Sequence, residues 1–415
     1  MRRLEIAASH RHDRRGSWVC QIPAVAGLLL WLGLLTWQYN RPIYDEGQHL
    51  AVIAAFCRGD WSMPADLPML PAYHVLASVP GRIFGPSLFV LRATSVAVSI
   101  ASIALFYAAM RHRNAAHLGP RVLHFAWNPL LFPFAAMAYT EAMSMVFLAA
   151  AVYTHVRRWF AASALVMLGA CLVRQSNVVW VVFMMLWAYT ELRSSSLRLV
   201  AAKLWAHATV LGLAAVFFVV NGGFTLGSTH QNRAGFNAGQ FYVFGLFVLG
   251  MWTPIWALRL RGDLRALGRW FVGHPGAGLG VLIAVTAFVA LGVMRFHNPH
   301  PWNVDIIFLR NWPLRLMGES MLARIAGVFA LVAAAGLVVS FTRAQPDRRV
   351  LALVWLCSIV FLIPHSLVEP RYYIVPTVLV NFFATYTAGQ ARWLAGWSLL
   401  VSVMICHRIL GDGMW

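Results

Sequence analysis

The sequence predicts an all-α integral membrane protein, a polytopic bundle of about 12–13 transmembrane helices with a long first outer loop that carries interfacial helices. Three observations support this. Of 415 residues, 60% are hydrophobic and only 11% are charged, against roughly 25% charged in soluble domains. Apolar runs long enough to cross a hydrocarbon core of about 30 Å recur along the whole chain. Short arginine-bearing loops separate these runs, the pattern of the positive-inside rule.

The chain reads as one membrane domain over 1–415, with no stretch that would fold alone in water. Helical apolar runs, not alternating ten-residue strands, exclude an outer-membrane barrel. The net charge of +19 would suggest nucleic acid in a soluble protein, but here it belongs to membrane topology. Cys20, Cys57, Cys171, Cys357 and Cys406 are scattered without a CxxC pair, so neither a disulfide framework nor a zinc site is expected. Residues 1–18 form a basic cytoplasmic N-terminus. With no small-residue cleavage site after the first apolar run, that run reads as a retained span.

Counting crossings from a cytoplasmic N-terminus gives a first span at 19–38 and a first outer loop at 39–86. Spans at 87–109 and 120–138, a fourth that re-enters at Arg157-Arg158, and one at 161–173 follow, and the chain exits outward at Glu141 and at Arg174-Gln175. Later exits fall at NGGFTLGSTHQNR, at RFHNPHPWNVDIIFLRNW and at His365 to Arg371. About two thirds of the arginines, with the single Lys203, lie on the starting side. The other side receives most of the fourteen acidic residues and most of the His, Asn and Gln. Chemistry is therefore expected on the non-cytoplasmic face.

Asp45-Glu46 leads that face. A carboxyl at a span exit can have its pKa raised by desolvation and by a neighbouring charge, as a general base for a hydroxyl requires; a solvated pair at a helix end is the plain alternative. His49 would share a helical face with Asp45, but no second ligand pair supports a metal. Arg174, Gln175 and Asn177 lie between apolar runs, where a guanidinium either snorkels or meets an anion such as phosphate. Glu369-Pro370-Arg371-Tyr372 reads as a turn opening a span, since proline holds the residue before it extended. His297, His300, Asp305 and Arg310 on one loop, and His230, Gln231 and Arg233 on another, are either site residues or ordinary exposed polar residues.

Four segments resemble the dolichyl-phosphate-glucose α-1,2-glucosyltransferases. PIYDEGQHLAVIAAFC carries Asp45, Glu46, His49 and Cys57 onto that family's pattern; MAYTEAMSMVF places Glu141 where it has an aspartate. VRQSNVVWVVF carries Arg174, Gln175, Asn177 and Trp180, and LVEPRYYIVP carries Glu369, Pro370, Arg371 and Tyr372. The matches run in order over 37–376. HPWNVDIIFLRNW keeps His300-Pro301 but lacks the family's DNRHY run, and GSTH replaces its GDKS.

The resemblance implies a GT-C glycosyltransferase, metal-independent and without cofactor. It would move a hexose, glucose first, from a polyprenyl-phosphate sugar donor with inversion to a glycan or glycolipid acceptor. Asp45 or Glu46 would be the base, the other orienting the acceptor. Arg371, helped by Arg174 or Arg310 and by Tyr372, would hold the donor phosphate. His49, Glu141, Gln175, Asn177, His230, His300, Asp305 and Glu369 would contact substrate. The arginine-rich composition points to a bacterial inner membrane with the site facing the periplasm; a eukaryotic chain would sit in the endoplasmic reticulum. A mannosyl or pentosyl transferase is the alternative within the class. A transporter or flippase for a lipid-linked or anionic substrate, which needs ionisable groups near the bilayer midplane, and a non-enzymatic partner subunit are the alternatives outside it.

Overall fold

The computed structural model describes residue 19 and residues 21–64, 67–223, 235–304 and 311–412, and among these there is no strand. Helix α1 (Gln21–Gln38) is the first span. Helices α2 (Glu46–Cys57) and α3 (Ala72–Phe84) lie between the first span and the next long helix and pack on each other. Both are shorter than the roughly 20 residues a span needs.

Helix α4 (Leu88–His112) begins where Ser87 Oγ accepts the Val90 N–H at 3.3 Å, relieving one orphan donor of the first turn. It ends with Arg111 and His112, cations that suit the negative end of the helix dipole. It packs along α6 (Thr140–Val156), which packs in turn on α7 (Phe160–Val173). Next come α8 (Val178–Leu192) and α9 (Leu197–Asn221), the latter stopping at Gly222, whose φ of +71° suits glycine.

The expected span over 120–138 is not one helix. Helix α5 (Leu118–Ala126) stops there, and 127–139 continues through turns and a single 3-10 turn, Pro133–Ala135. Pro129 and Pro133 lack the N–H a helix would need, and each restrains the residue before it. Irregular backbone at membrane depth survives only where protein satisfies it, and here side chains of three helices do so while Asn128 ties the segment to a fourth. Trp31 donates to the Pro133 carbonyl at 3.1 Å and Ser99 to Ala135 at 3.4 Å. Ser402 donates to Trp127 at 2.7 Å, and Asn128 spans to Thr377 Oγ1 at 2.9 Å.

Helix α10 (Gly239–Met251) turns by 89° into α11 (Thr253–Gly273), with Pro254 in the first turn of the second helix. Then follow α12 (Pro275–Met294), α13 (Pro301–Val304), α14 (Trp312–Glu319) and α15 (Met321–Arg343). Helices α16 (Arg348–Leu362), α17 (Ile374–Phe383) and α18 (Ala388–Asp412) complete the chain. Among the described residues six helices are individually long and apolar enough to cross a membrane, seven if the bent α10–α11 pair is one span. The other crossings expected from the sequence are helices of 9 to 17 residues, too short to span alone; in α6 and α17 most residues are buried against neighbours. The protein is thus polytopic, with long helices wrapped around short ones.

Candidate active site

Asp45 and Glu46 are neighbours in sequence and opposites in environment. Tyr44, just before them, adopts φ +52°, a left-handed conformation that a non-glycine residue enters at a cost of about 1–2 kcal/mol. The reversal starts α2 at once. It leaves the Asp45 side chain 51% exposed and Glu46 fully buried.

Glu46 is saturated. Its Oε1 accepts from Arg92 Nε at 3.0 Å and from the Ala138 N–H at 2.9 Å. Its Oε2 accepts from Arg92 Nη2 at 2.6 Å and from the Ile43 N–H at 3.1 Å. Arg92, equally buried, also donates to the Tyr39 carbonyl at 2.6 Å. This carboxylate joins the first loop to α4 and to the broken segment before α6, and it offers no free oxygen to a substrate. Arg92 was not singled out in the sequence. A lone arginine one turn into an apolar span demands an anionic partner, and that signal pointed to it.

Asp45 faces the remaining charges. Its backbone N–H donates to Tyr139 Oη at 3.0 Å, and its Oδ2 lies 3.9 Å from Arg371 Nη1. Arg371 also sits 3.7 Å from Glu141 Oε1 and pairs through Nε with Glu369. Glu141 pairs with Arg174 as well. The sequence exits at 45, 141, 174 and 369–371 thus converge on one cluster of three carboxylates and two guanidiniums. Glu141 is 1% exposed, and it starts α6, where the helix dipole favours an anion. Arg174 and Arg371 keep 19% and 22% of their side chains exposed, enough for one face of each fork to meet a ligand. Burial works against charge on Arg371, but Glu369, Glu141 and Asp45 outweigh it and hold the guanidinium ionised well above its ordinary range.

His49 packs edge-on to Tyr139, ring centroids 5.8 Å apart, and its Nδ1 lies 3.1 Å from His74 Nε2. Burial pushes His49 down to about 4, with Glu141 opposing the shift and Arg371 and Arg174 adding to it. Burial, then His49, lowers His74 to about 3. Both rings are neutral, so one donates and the other accepts. Tyr372 packs against His365 with ring centroids 4.4 Å apart and planes tilted by 49°; burial, then the Glu369 charge, pushes its hydroxyl up to about 12, which keeps it a donor.

The loop that carries Glu369 and Arg371 is fixed by amides. Asn303 Nδ2 donates to the Val368 carbonyl and Asn303 Oδ1 accepts the Val368 N–H, both at 3.0 Å. Asn237 Nδ2 donates to the Ser366 carbonyl at 2.6 Å, and Gln240 Nε2 to the Leu367 carbonyl at 2.6 Å. Pro370 begins a 3-10 turn, Pro370–Tyr373, so Arg371 leaves the loop in a fixed direction.

Other expected substrate residues have structural duties. Asn177 is buried, its amide donating to Ser144 Oγ at 2.9 Å and to the Ala170 carbonyl at 2.8 Å. Gln175 donates to the Pro68 carbonyl at 3.0 Å and so ties the Arg174 turn to the outer loop. His300 is buried, and its Nδ1 accepts the Trp302 N–H at 3.3 Å. His230, Asp305 and Arg310 lie outside the described residues. Among the described residues no group of three or more His, Cys, Asp or Glu is arranged to hold a metal ion.

Residues 39–198 and 188–382 match the DIE2/ALG10 family. Over 315 residues, 64% of this chain, the sequence is 24% identical to the Dol-P-Glc:Glc(2)Man(9)GlcNAc(2)-PP-Dol alpha-1,2-glucosyltransferase of Kluyveromyces lactis, and the match spans 57% of that protein's length. Two crystal structures of ArnT from Cupriavidus metallidurans are similar at 14% identity. The apo form has a TM-score of 0.36, covering 95% of this chain and 78% of ArnT. The undecaprenyl phosphate complex has a TM-score of 0.40, covering 92% and 78%.

Proposed function

This chain belongs to the DIE2/ALG10 family, and on that premise we propose that it is an inverting GT-C glycosyltransferase. It moves a hexose, glucose first, from a polyprenyl-phosphate donor to a hydroxyl of a lipid-linked or cell-envelope glycan. The observation that carries the reading is the half-exposed Asp45 carboxylate beside Arg371, at the meeting point of four span exits. Asp45 is the base and Glu46 is not, because both oxygens of Glu46 are consumed by Arg92 and two backbone N–H groups.

Asp45 takes the proton of the acceptor hydroxyl as the acceptor oxygen bonds to the anomeric carbon from the face opposite the phosphate. The bond from that carbon to the phosphate oxygen breaks, and polyprenyl phosphate leaves with the electron pair. Arg371, with Arg174, stabilises the charge that develops on it, an electrostatic role set before the reaction begins. Polyprenyl phosphate is a good leaving group and needs no general acid. Without donor, each guanidinium is neutralised by Glu369 or Glu141. The donor phosphate adds to their exposed faces, and the 3.9 Å contact between Asp45 and Arg371 opens to admit the sugar.

In this reading the site faces the periplasm of a bacterial inner membrane, in keeping with the arginine-poor loops on its side. The test is incubation of the purified chain with polyprenyl-phosphate glucose, mannose and pentose and a glycan acceptor. Transfer or donor hydrolysis with glucose preferred is expected; inertness toward all three donors would sink the reading.

A further inference from the structure

At the opposite end of the bundle lies a second charged site that the proposed reaction does not use. Helix α4 carries Arg92 one turn from its start, beside Glu46, and delivers Arg113 at its far end, about 32 Å away. Helix α8 likewise leads from the Arg174 turn to Glu191, and α16 leads back from Arg348 toward the loop of Glu369. The ends of these three helices enclose a cleft of about 380 Å³, lined in part by Arg113, Arg193, Arg348 and Arg349.

The two carboxylates lining the cleft, Asp347 and Glu191, leave three of its arginines without an ion pair among the described residues. Asp347 pairs with Arg113 at 2.5 Å and makes no side-chain cap for α16, although it occupies the N-cap position. Glu191 has its Oε1 3.9 Å from Nε2 of His155. His155 is fully buried, neither of its ring nitrogens has a hydrogen-bond partner, and it stacks at 3.6 Å on Trp187, a wall of the cleft. Among the described residues neither carboxylate comes within ion-pair distance of Arg193, Arg348 or Arg349, which line the cleft beside them. The first turn of α16 adds unpaired backbone N–H groups and the positive end of its dipole.

We propose that this cleft binds a phosphate group, in the first place the head group of an anionic phospholipid in the leaflet opposite the active site. Three guanidiniums offer paired N–H donors that match phosphate oxygens. The cleft lies at the ends of three helices, one of them the long apolar α4, and its volume exceeds that of one phosphate, leaving room for the attached alcohol. Its position where the ends of three helices meet distinguishes it from the arginines of α11, which follow one another along a single helix.

The full chain, reconstituted in phosphatidylcholine bilayers with and without phosphatidylglycerol, is released into native mass spectrometry. Retention of one phosphatidylglycerol per chain is expected. Arg193→Gln with Arg348→Gln and Arg349→Gln should lower that retention by about ten-fold or more, roughly 1.4 kcal/mol. Arg261→Gln with Arg265→Gln and Arg269→Gln on α11 should leave it unchanged. If the glutamine variant does not fold, the three Lys variants, which keep charge but lose the fork, should weaken retention in part. A melting shift with inorganic phosphate or pyrophosphate alone, abolished in the cleft variant, would make the source a soluble phosphate compound. The proposal is overturned if the cleft variant retains lipid and phosphate as the parent does, or if the α11 variant loses as much.

Discussion

Glu46→Gln is the perturbation that separates the two neighbouring carboxylates. The substitution keeps the shape of the side chain and removes its charge, leaving the buried Arg92 guanidinium facing a neutral amide whose N–H₂ cannot accept. Of the four hydrogen bonds that Glu46 accepts, two come from Arg92 and two from backbone N–H groups. One amide oxygen can serve one side of this set, so one guanidinium donor and one backbone donor lose their acceptor. Breaking a fully buried ion pair from one side costs about 3–5 kcal/mol, roughly two to four orders of magnitude in the folded-to-unfolded ratio. Denaturant unfolding of the purified protein in detergent measures it. Arg92→Met should cost a similar amount, and Glu46→Met combined with Arg92→Met should recover much of the loss, since two apolar side chains leave no orphaned charge. The reasoning fails if Glu46→Gln unfolds like the parent and yet loses transfer activity, because Glu46 would then act in chemistry and not in the fold.

Further outcomes follow from the same geometry. Asn303→Ala removes both bonds to Val368 and should cost about 2–3 kcal/mol in detergent unfolding, with turnover falling as the Arg371 loop loosens. Burial holds His49, His74 and His365 at about 4, 3 and 4, below their ordinary 6.5. The unfolded chain therefore binds more protons between those values, and stability, complete above pH 6.5, should fall as pH drops toward 4; replacing His74 with Phe should flatten that slope in an unfolding series. Arg371→Lys keeps charge but not the fork, so it should raise the donor KM and lower kcat about ten-fold or more, read from steady-state rates with a polyprenyl-phosphate sugar.

Much of the architecture was legible because membrane spans are written in composition. The runs at 19–38 and 87–109 became α1 and α4 within a few residues, since an uninterrupted apolar stretch has one way to cross a bilayer. The 120–138 run misled for a physical reason: hydropathy does not register that Pro129 and Pro133 withhold N–H groups, or that Trp31, Ser99 and Ser402 stand ready to satisfy the freed carbonyls. At the site, the exits named Asp45, Glu141, Arg174, Glu369 and Arg371, and the fold brings all five together. What separates Asp45 from Glu46 was not readable from two adjacent acids. It depends on a left-handed Tyr44 and on an arginine forty-six positions away. Asn237, Gln240 and Asn303 were invisible for a similar reason, as each anchors a loop 65 to 129 residues distant.

The central claim is that the exposed Asp45 carboxylate, and not its buried neighbour, takes the acceptor proton. Single-turnover transfer from a polyprenyl-phosphate sugar by Asp45→Asn, compared with the parent protein, tests it directly. The account predicts a rate lower by about 10²–10⁴-fold, with unfolding in detergent unchanged because half of this side chain lies in solvent. Transfer at the parent rate by that variant would contradict it.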